Sequence, residues 1–419
     1  MFSSGPRKPP TGRQSRKGGG AVSWIRDSIR AFLEQGDRLL LALCLAASGF
    51  GLVLIFSATR YMENSAGIRC MLVQTAAILL GVFVYILMSS LDIELITEKS
   101  WKLLLAFGVG INLLLFTPLG FGAEETGNNN WLRIPGFPVN LQPAEIAKLT
   151  FVMLLAWQIS RQRERGVSRP ASVFQLAGHT LFMIGLIVVT SGDFGMALTY
   201  GIIFVVMTWA GGVKKRWFLL AAVVCAAAVV VIWPHVSDKY YMKRFVVVID
   251  RLLGNTATLL EQTQGVGWQQ NRSVLAIGSG GLFGMGYLNG TQTQSLSEES
   301  LPARHTDEIF AVCGEEFGLV GCVLLLALLG GIILRCVWVA RRACSPQSAL
   351  IAMGYAGMLI AQVGVNVGMC LYVFPVVGIT LPFISYGGSS ILTMFAAMGI
   401  VSSIKMRALP DWLRDRNQL

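Results

Sequence analysis

Long, nearly uncharged apolar runs recur from residue 39 to residue 404, separated mostly by short polar breaks. Each is long enough to cross a hydrocarbon core of roughly 30 Å as a helix. They predict ten membrane-spanning helices, at 39–57, 71–87, 103–119, 144–159, 173–190, 194–210, 217–233, 309–333, 350–371 and 389–404. A β-barrel would show spans of about ten residues in strict alternation, which this chain lacks. Ser191, Gly192 and Asp193 leave room for only a tight turn between the fifth and sixth spans. Ahead of the first span the pattern changes. Val22, Ile25, Ile29, Phe32 and Leu33 share one helical face, with Arg26, Asp27, Arg30 and Glu34 on the other. That predicts a juxtamembrane amphipathic helix over 21–37, lying on the bilayer. Residues 1–20, rich in Gly, Pro, Ser, Lys and Arg, cannot bury apolar surface and are expected to be disordered.

Composition supports this all-α, polytopic reading. The 419 residues are 54% hydrophobic and only 14% charged, against roughly 25% charged in soluble domains. The net charge of +11 reports orientation and not nucleic-acid binding. Basic residues of the N-terminal tail, Arg161 to Arg169, Lys214 to Arg216, Arg341 with Arg342, and Lys405 with Arg407 all fall on one side of ten spans. Cytoplasmic loops carry the excess of Lys and Arg, so both termini, including the tail at 405–419, are expected inside. Three polar-to-mixed segments then face outward: 120–142, the long loop 234–308, and 372–388. Their apolar residues and glycines predict packed, re-entrant loops, which at membrane depth must be buried in protein or line a cavity. Eight cysteines lie in or beside apolar runs without any CxxC spacing, as small packing residues do. No His cluster has metal-ligand spacing.

Within this frame a few polar residues are expensive to place and therefore informative. Asp307 sits between Arg304 and the start of the eighth span. A carboxylate at the mouth of a membrane bundle marks function by default. In an outward cavity it would move protons, with His305 beside it orienting or packing. Glu145 and Lys148, three apart at the outer end of the fourth span, share a helix face. Neither points at lipid cheaply, so both should face the bundle interior, as an ion pair or as cavity lining. Asp193 should cap the helix that follows it. Gly278 to Gly284 lacks the strand–helix context of a phosphate loop and reads as a tight turn.

Three motifs then identify a resemblance: Gln142 to Glu145 with Lys148, the run 301–321 around His305, Thr306 and Asp307, and Leu381 to Ser390. Together they resemble the SEDS family (shape, elongation, division and sporulation), the membrane peptidoglycan polymerases related to RodA and FtsW. The resemblance covers essentially all ten spans. Residues 278–281, 290–292, 366–369 and 375–378 look more like the RodA branch and the long basic N-terminal tail more like FtsW, and the resemblance taken together is more RodA-like. The resemblance implies glycosyl transfer from lipid II to a growing glycan at the outer face of the cytoplasmic membrane. A sugar hydroxyl has a very high pKa and needs a general base. Asp307 matches the family's essential Asp. The departing polyprenyl pyrophosphate calls for fixed cations, and Arg244, Lys243 and Arg304 face outward, Arg244 matching a family Arg. Gln142, Glu145 and Lys148 would line the cavity below Asp307. Ser385 and Tyr386 lie in a bent segment with Pro382 and two glycines, where the serine would meet substrate or satisfy freed backbone groups.

This chain departs from the family pattern in three places. Asn130 stands before Trp131 where a basic residue is usual, with Arg133 a possible substitute. Ala303 replaces the usual Glu, and Glu308 the usual aromatic. The expected partners are lipid II, the membrane and a class B penicillin-binding protein, since the chain has no outward Ser-x-x-Lys transpeptidase motif of its own. No protein-held cofactor is expected, and a divalent cation fits the pyrophosphate chemistry. The rival functions are a flippase for the lipid-linked precursor and a non-catalytic scaffold for the transpeptidase.

Overall fold

The computed structural model describes residues 21–62, 64–122, 129–133, 140–236, 240–255, 258–297 and 300–408. The tails at 1–20 and 409–419, expected to be cytoplasmic, lie outside the described residues. The described helices are α1 (Ala21–Gln35), α2 (Arg38–Thr59), α3 (Asn64–Ser90), α4 (Ile93–Leu113), α5 (Pro143–Arg165), α6 (Pro170–Ser191) and α7 (Phe194–Ala210). They continue with α8 (Lys215–Val236), α9 (Tyr240–Leu252), α10 (Leu259–Thr263), α11 (Trp268–Gly280), α12 (Ile309–Arg341), α13 (Pro346–Cys370) and α14 (Gly388–Met406). A two-stranded hairpin pairs β1 (Gly120–Phe121) with β2 (Trp131–Leu132), antiparallel.

Nine of the ten expected spans fall on helices, while the third, expected at 103–119, is shifted: α4 begins ten residues earlier at Ile93 and ends at Leu113 in a short 3-10 turn. Seven helices among the described residues are long and apolar enough to cross a membrane. The buried pair Glu145 and Lys148 and the charged end at 161–165 lower the hydropathy of α5, and α7 is 17 residues long. The core is built from helix pairs: α3 along α14, α12 along α13, α4 along α5, and α7 along α13. Without a hydrophobic drive between helices in lipid, close approach of small residues supplies the packing. At Gly399 of α14 a Cβ would come within 2.6 Å of the Tyr85 carbonyl of α3, so that contact admits only glycine. By contrast α8 stands off from the bundle, its side chains exposed from Leu219 to Val231.

The amphipathic helix α1 forms as expected but does not simply lie on the bilayer. It docks on α3: Phe32 is buried edge-to-face on Tyr85 at 5.7 Å, and Ser28 Oγ donates to Ser90 Oγ at 3.0 Å. Ile29 and Leu33 keep the lipid-facing side. The long loop is equally structured. Its helices α9, α10 and α11 form a cap, and α11 packs on α12.

The 33 residues of α12 correspond to roughly 50 Å of helix, more than one bilayer. The excess is used by a break. Gly318 has φ 64° and ψ −159°, a region essentially closed to residues with a Cβ. The freed carbonyls of Glu315 and Glu316 accept from the Met285 and Gly286 amides, and the Leu319 and Val320 amides donate to Gly281 and Leu282. The expected turn at 278–284 is thus displaced: 278–280 close α11, and residues 281–286 form the turn that satisfies a broken membrane helix, as irregular backbone there requires.

Candidate active site

The polar residues of interest gather at one end of the bundle. The N-termini of α5, α7, α12 and α14 and the C-terminus of α13 meet there, while the basic loops lie at the opposite ends of the same helices. Asp307 occupies the turn that leads into α12. Its peptide carbonyl accepts from Asn366 Nδ2 of α13 at 2.8 Å, and the same amide donates to the Ile379 carbonyl at 2.7 Å. Asn366 therefore ties the Asp307 turn to the 372–387 loop. Two further bonds close that seam: Ser385 Oγ donates to the Thr306 carbonyl at 2.6 Å, and the Tyr386 amide donates to the His305 carbonyl at 2.9 Å. From α3, Gln74 holds the far side, donating to the Ser385 carbonyl and accepting from the Gly387 amide.

The Asp307 side chain is left available by this scaffold. It is half-buried, and no described side chain donates a hydrogen bond to its carboxylate. Its Oδ2 lies beside Gly378, where a Cβ would stand 3.8 Å away. Burial first, then the Glu308 and Asp193 carboxylates, push Asp307 up to about 7. Undonated, desolvated and flanked by like charge, it has the features that bring a carboxylate into the range of a base working near neutrality.

Glu308, where the family resemblance leads one to expect an aromatic, is fully buried in a built polar pocket. It accepts from Ser273 Oγ at 2.6 Å and Gln269 Nε2 at 3.1 Å, both of α11, and from Cys370 Sγ at 3.2 Å. Burial raises its pKa, opposed by those three donors. Ala303, where a Glu is usual, adopts φ 43°, and its carbonyl accepts from the Thr306 and Glu308 amides. These departures shape the turn and the charge beside Asp307 without displacing it.

Below Asp307 lies a second polar group. Asp193 caps α7, accepting from the Met196 amide at 2.8 Å, as its position in the tight turn implied. Its other oxygen accepts from Gln142 Nε2 at 3.2 Å. Burial and Glu145 push Asp193 up to about 6, against the Met196 amide and Lys148. Glu145 and Lys148 form a fully buried ion pair at 2.9 Å, with Gln362 of α13 donating to Glu145 at 3.4 Å. The Gln142 amide donates to Ser389 Oγ at 3.2 Å. The expectation that this pair faces the interior is met.

The basic residues divide. Arg244 on α9 donates to the Val376 carbonyl at 2.8 Å, in the loop that also carries Gly378, the residue beside Asp307 Oδ2. Lys243, its neighbour, is exposed. Arg304 is spent inside the fold. It is buried, stacked 3.7 Å over Tyr61, and donates to the Leu301, Thr293 and Ser295 carbonyls and Ser300 Oγ. The expected contact of Arg304 with substrate is thus replaced by a loop clamp. Ser385 likewise serves the backbone, since its Oγ also accepts from the Leu381 amide. Arg133 lies 4.3 Å over Phe121 on the β1–β2 hairpin, beside half-buried Trp131. Among the described residues no hydrogen bond or ring contact joins that hairpin to Asp307. His305 is held down to about 4 by burial and by Arg304, which makes it a neutral packing group against Tyr386.

Sequence reasoning missed three positioning residues: Asn366, Glu315 and Glu316. Glu315 accepts from the Gln292 and Thr293 amides and from Thr291 and Thr293 hydroxyls. Glu316 accepts from Ser57 Oγ and Gln294 Nε2. Two adjacent acids inside an apolar run were the available signal.

A bundle of apolar helices, seven of them among the described residues long enough to cross a membrane, with buried carboxylates gathered at one end defines a multi-pass membrane protein. The chain belongs to the FtsW, RodA and SpoVE family of cell cycle proteins, whose model matches residues 37–409. It is 31% identical over 383 residues to a probable peptidoglycan glycosyltransferase FtsW of Geobacter metallireducens, covering 90% of this chain and 96% of that one. It is 35% identical over 293 residues to the peptidoglycan glycosyltransferase MrdB of Escherichia coli K12, covering 70% and 75%. Among solved structures it resembles a chain of a peptidoglycan synthase complex that coordinates polymerization and crosslinking. That match has a TM-score of 0.70 and 27% identity, and covers 88% of this chain and 97% of that one. The rod shape determining protein RodA of Thermus thermophilus matches with a TM-score of 0.60 and 28% identity, covering 90% and 98%.

Proposed function

We infer that this chain, a multi-pass membrane peptidoglycan glycosyltransferase, polymerises lipid II at the outer face of the cytoplasmic membrane with Asp307 as general base. One observation carries the reading: the Asp307 carboxylate is desolvated and receives no hydrogen bond from a described side chain, while the backbone of His305, Thr306 and Asp307 is fixed by Tyr386, Ser385 and Asn366. Asp307 takes the proton of the acceptor sugar hydroxyl. The hydroxyl oxygen bonds to the donor's anomeric carbon as the bond from that carbon to the pyrophosphate oxygen breaks. Polyprenyl pyrophosphate leaves. Arg244, with Lys243 beside it, would meet the growing phosphate charge. Among the described residues no three His, Cys, Asp or Glu side chains gather as metal ligands. A divalent cation used in the reaction would bind the donor's pyrophosphate, where negative charge grows.

Asp307, Glu308, Asp193 and Glu145 stand at the starts of α12, α7 and α5, which favours surface chemistry over transport of the precursor. With ten crossings and both termini inside, that end faces outward, where a class B penicillin-binding protein would crosslink the product. Purified protein with such a partner, given lipid II, should yield glycan ladders on a gel. Asp307→Asn should lower the rate by about 100-fold or more. Normal ladders from that variant would remove Asp307 as the base, and no ladders from the unaltered protein with any class B partner would favour a scaffold.

A further inference from the structure

At the membrane face opposite Asp307, Arg163, Arg169, Lys214 and Arg216 line one pocket of about 470 Å³, together with Ser168. Among the described residues none of these four cations is paired with a carboxylate. The pocket is organised in advance. Ser168 pins the two loops that form it, accepting at Oγ from the Lys214 amide and at its carbonyl from Trp217 Nε1, both at 3.0 Å. Helices α6 and α8 begin at its edge, so the positive ends of two helix dipoles add to its potential. Below it the wall turns apolar. Phe174 of α6 meets Trp217 of α8 edge-to-face at 6.0 Å. Phe174, Leu181, Leu219 and Val223 are each more than half exposed along the two helices.

We propose that this pocket holds the headgroup of an acidic phospholipid, whose acyl chains run along the exposed faces of α6 and α8. The cations supply the phosphate site, and the apolar wall continuous with it selects a lipid over a soluble anion or an acidic peptide. Topology alone does not require this convergence. Two other cations of the same loops are engaged elsewhere, Arg161 over Trp157 and Lys215 over Trp209. The inference concerns a face remote from Asp307 and does not depend on the proposed chemistry.

The full-length protein, delipidated in a zwitterionic detergent, is titrated with phosphatidylglycerol or phosphatidylcholine, and bound lipid is counted by native mass spectrometry. The unaltered protein should bind one phosphatidylglycerol about tenfold better than phosphatidylcholine. Arg169→Gln with Arg216→Gln should lose that preference. Arg26→Gln with Arg30→Gln, which removes two charges from α1, should keep it. Equal loss in both pairs would reduce the effect to overall charge and overturn the site. So would protection against thermal unfolding by inorganic phosphate matching that given by the lipid, or displacement of bound lipid by an acidic peptide. If the glutamine pair misfolds, Arg169→Lys with Arg216→Lys decides. It should bind phosphatidylglycerol within about threefold of the unaltered protein, and loss of the preference there overturns the proposal.

Discussion

A carboxylate takes a proton from a sugar hydroxyl only while it is ionised, and at Asp307 burial and two neighbouring acids resist that ionisation. With Asp307 at about 7, kcat/KM for polymerisation should rise with pH through neutrality and level off above it, falling about tenfold per unit on the acid side. Glu308→Gln removes one of the charges that raise Asp307, so the rising limb should move to lower pH. An unmoved limb would mean that Glu308 does not act on the base. The same group bears on stability. Asp307 is raised in the folded state, so the fold binds its proton more tightly than the unfolded chain does. Its unfavourable contribution is absent below the unfolded value of about 3.9, grows as pH rises toward about 7, and is complete above that. Asp307→Asn should therefore raise the midpoint of thermal unfolding at pH 8, by about 2 °C, and leave it unchanged at pH 4. The place of Asp307 in the turn entering α12 was legible in the sequence because charge at a membrane mouth is rare. Arg304 misled for the same reason: an outward cation reads as a ligand until the carbonyls of Thr293 and Ser295 are seen to claim it.

At the scale of elements, two devices position the site, and each can be broken. The α12 break depends on Gly318, whose dihedrals exclude a side chain and whose Cβ would come within 2.4 Å of the Gly284 amide. Gly318→Ala should cost about 3 kcal/mol or more, seen as loss of monodisperse protein on size exclusion, and normal yield would refute the strain. The Glu145–Lys148 pair ties α5 to α13 through Gln362. Removing one partner leaves a buried charge and should cost about 3–5 kcal/mol, whereas Glu145→Gln with Lys148→Met should restore much of that. If the double variant folds yet does not polymerise, the pair acts on the reaction as well as on packing. Helix identity was legible here from apolar run length. The break was not, because Gly318 sits in an otherwise continuous run and its need appears only when the 281–286 turn supplies the missing hydrogen bonds. The seam made by Asn366 was hidden likewise, since its two acceptors are backbone carbonyls distant in sequence.

For the whole molecule, the loops' basic residues and the apolar runs together determine orientation, and that orientation decides whether Asp307 can meet a substrate outside the cell. The charged ends at Arg163 to Arg169, Lys214 to Arg216 and Arg341 with Arg342 all lie opposite Asp307, so a single measurement of sidedness tests the arrangement. Cys344 follows Arg342 closely and is exposed on the basic face, and Leu296 is 82% exposed on the Asp307 face. Cys225 is also exposed, but on the apolar flank of α8, where a charged reagent partitions poorly. In intact spheroplasts an impermeant maleimide should label Leu296→Cys promptly and leave Cys344 unlabelled until the membrane is opened. Placing the second probe in a background with both Cys344→Ser and Cys70→Ser separates the signals, since half-buried Cys70 lies at the Asp307 end of α3. The reverse pattern would put the carboxylate cluster inside, beyond reach of an outer-face acceptor. Labelling of both sites in intact cells would break the link between the positive loops and the cytoplasm on which the orientation rests.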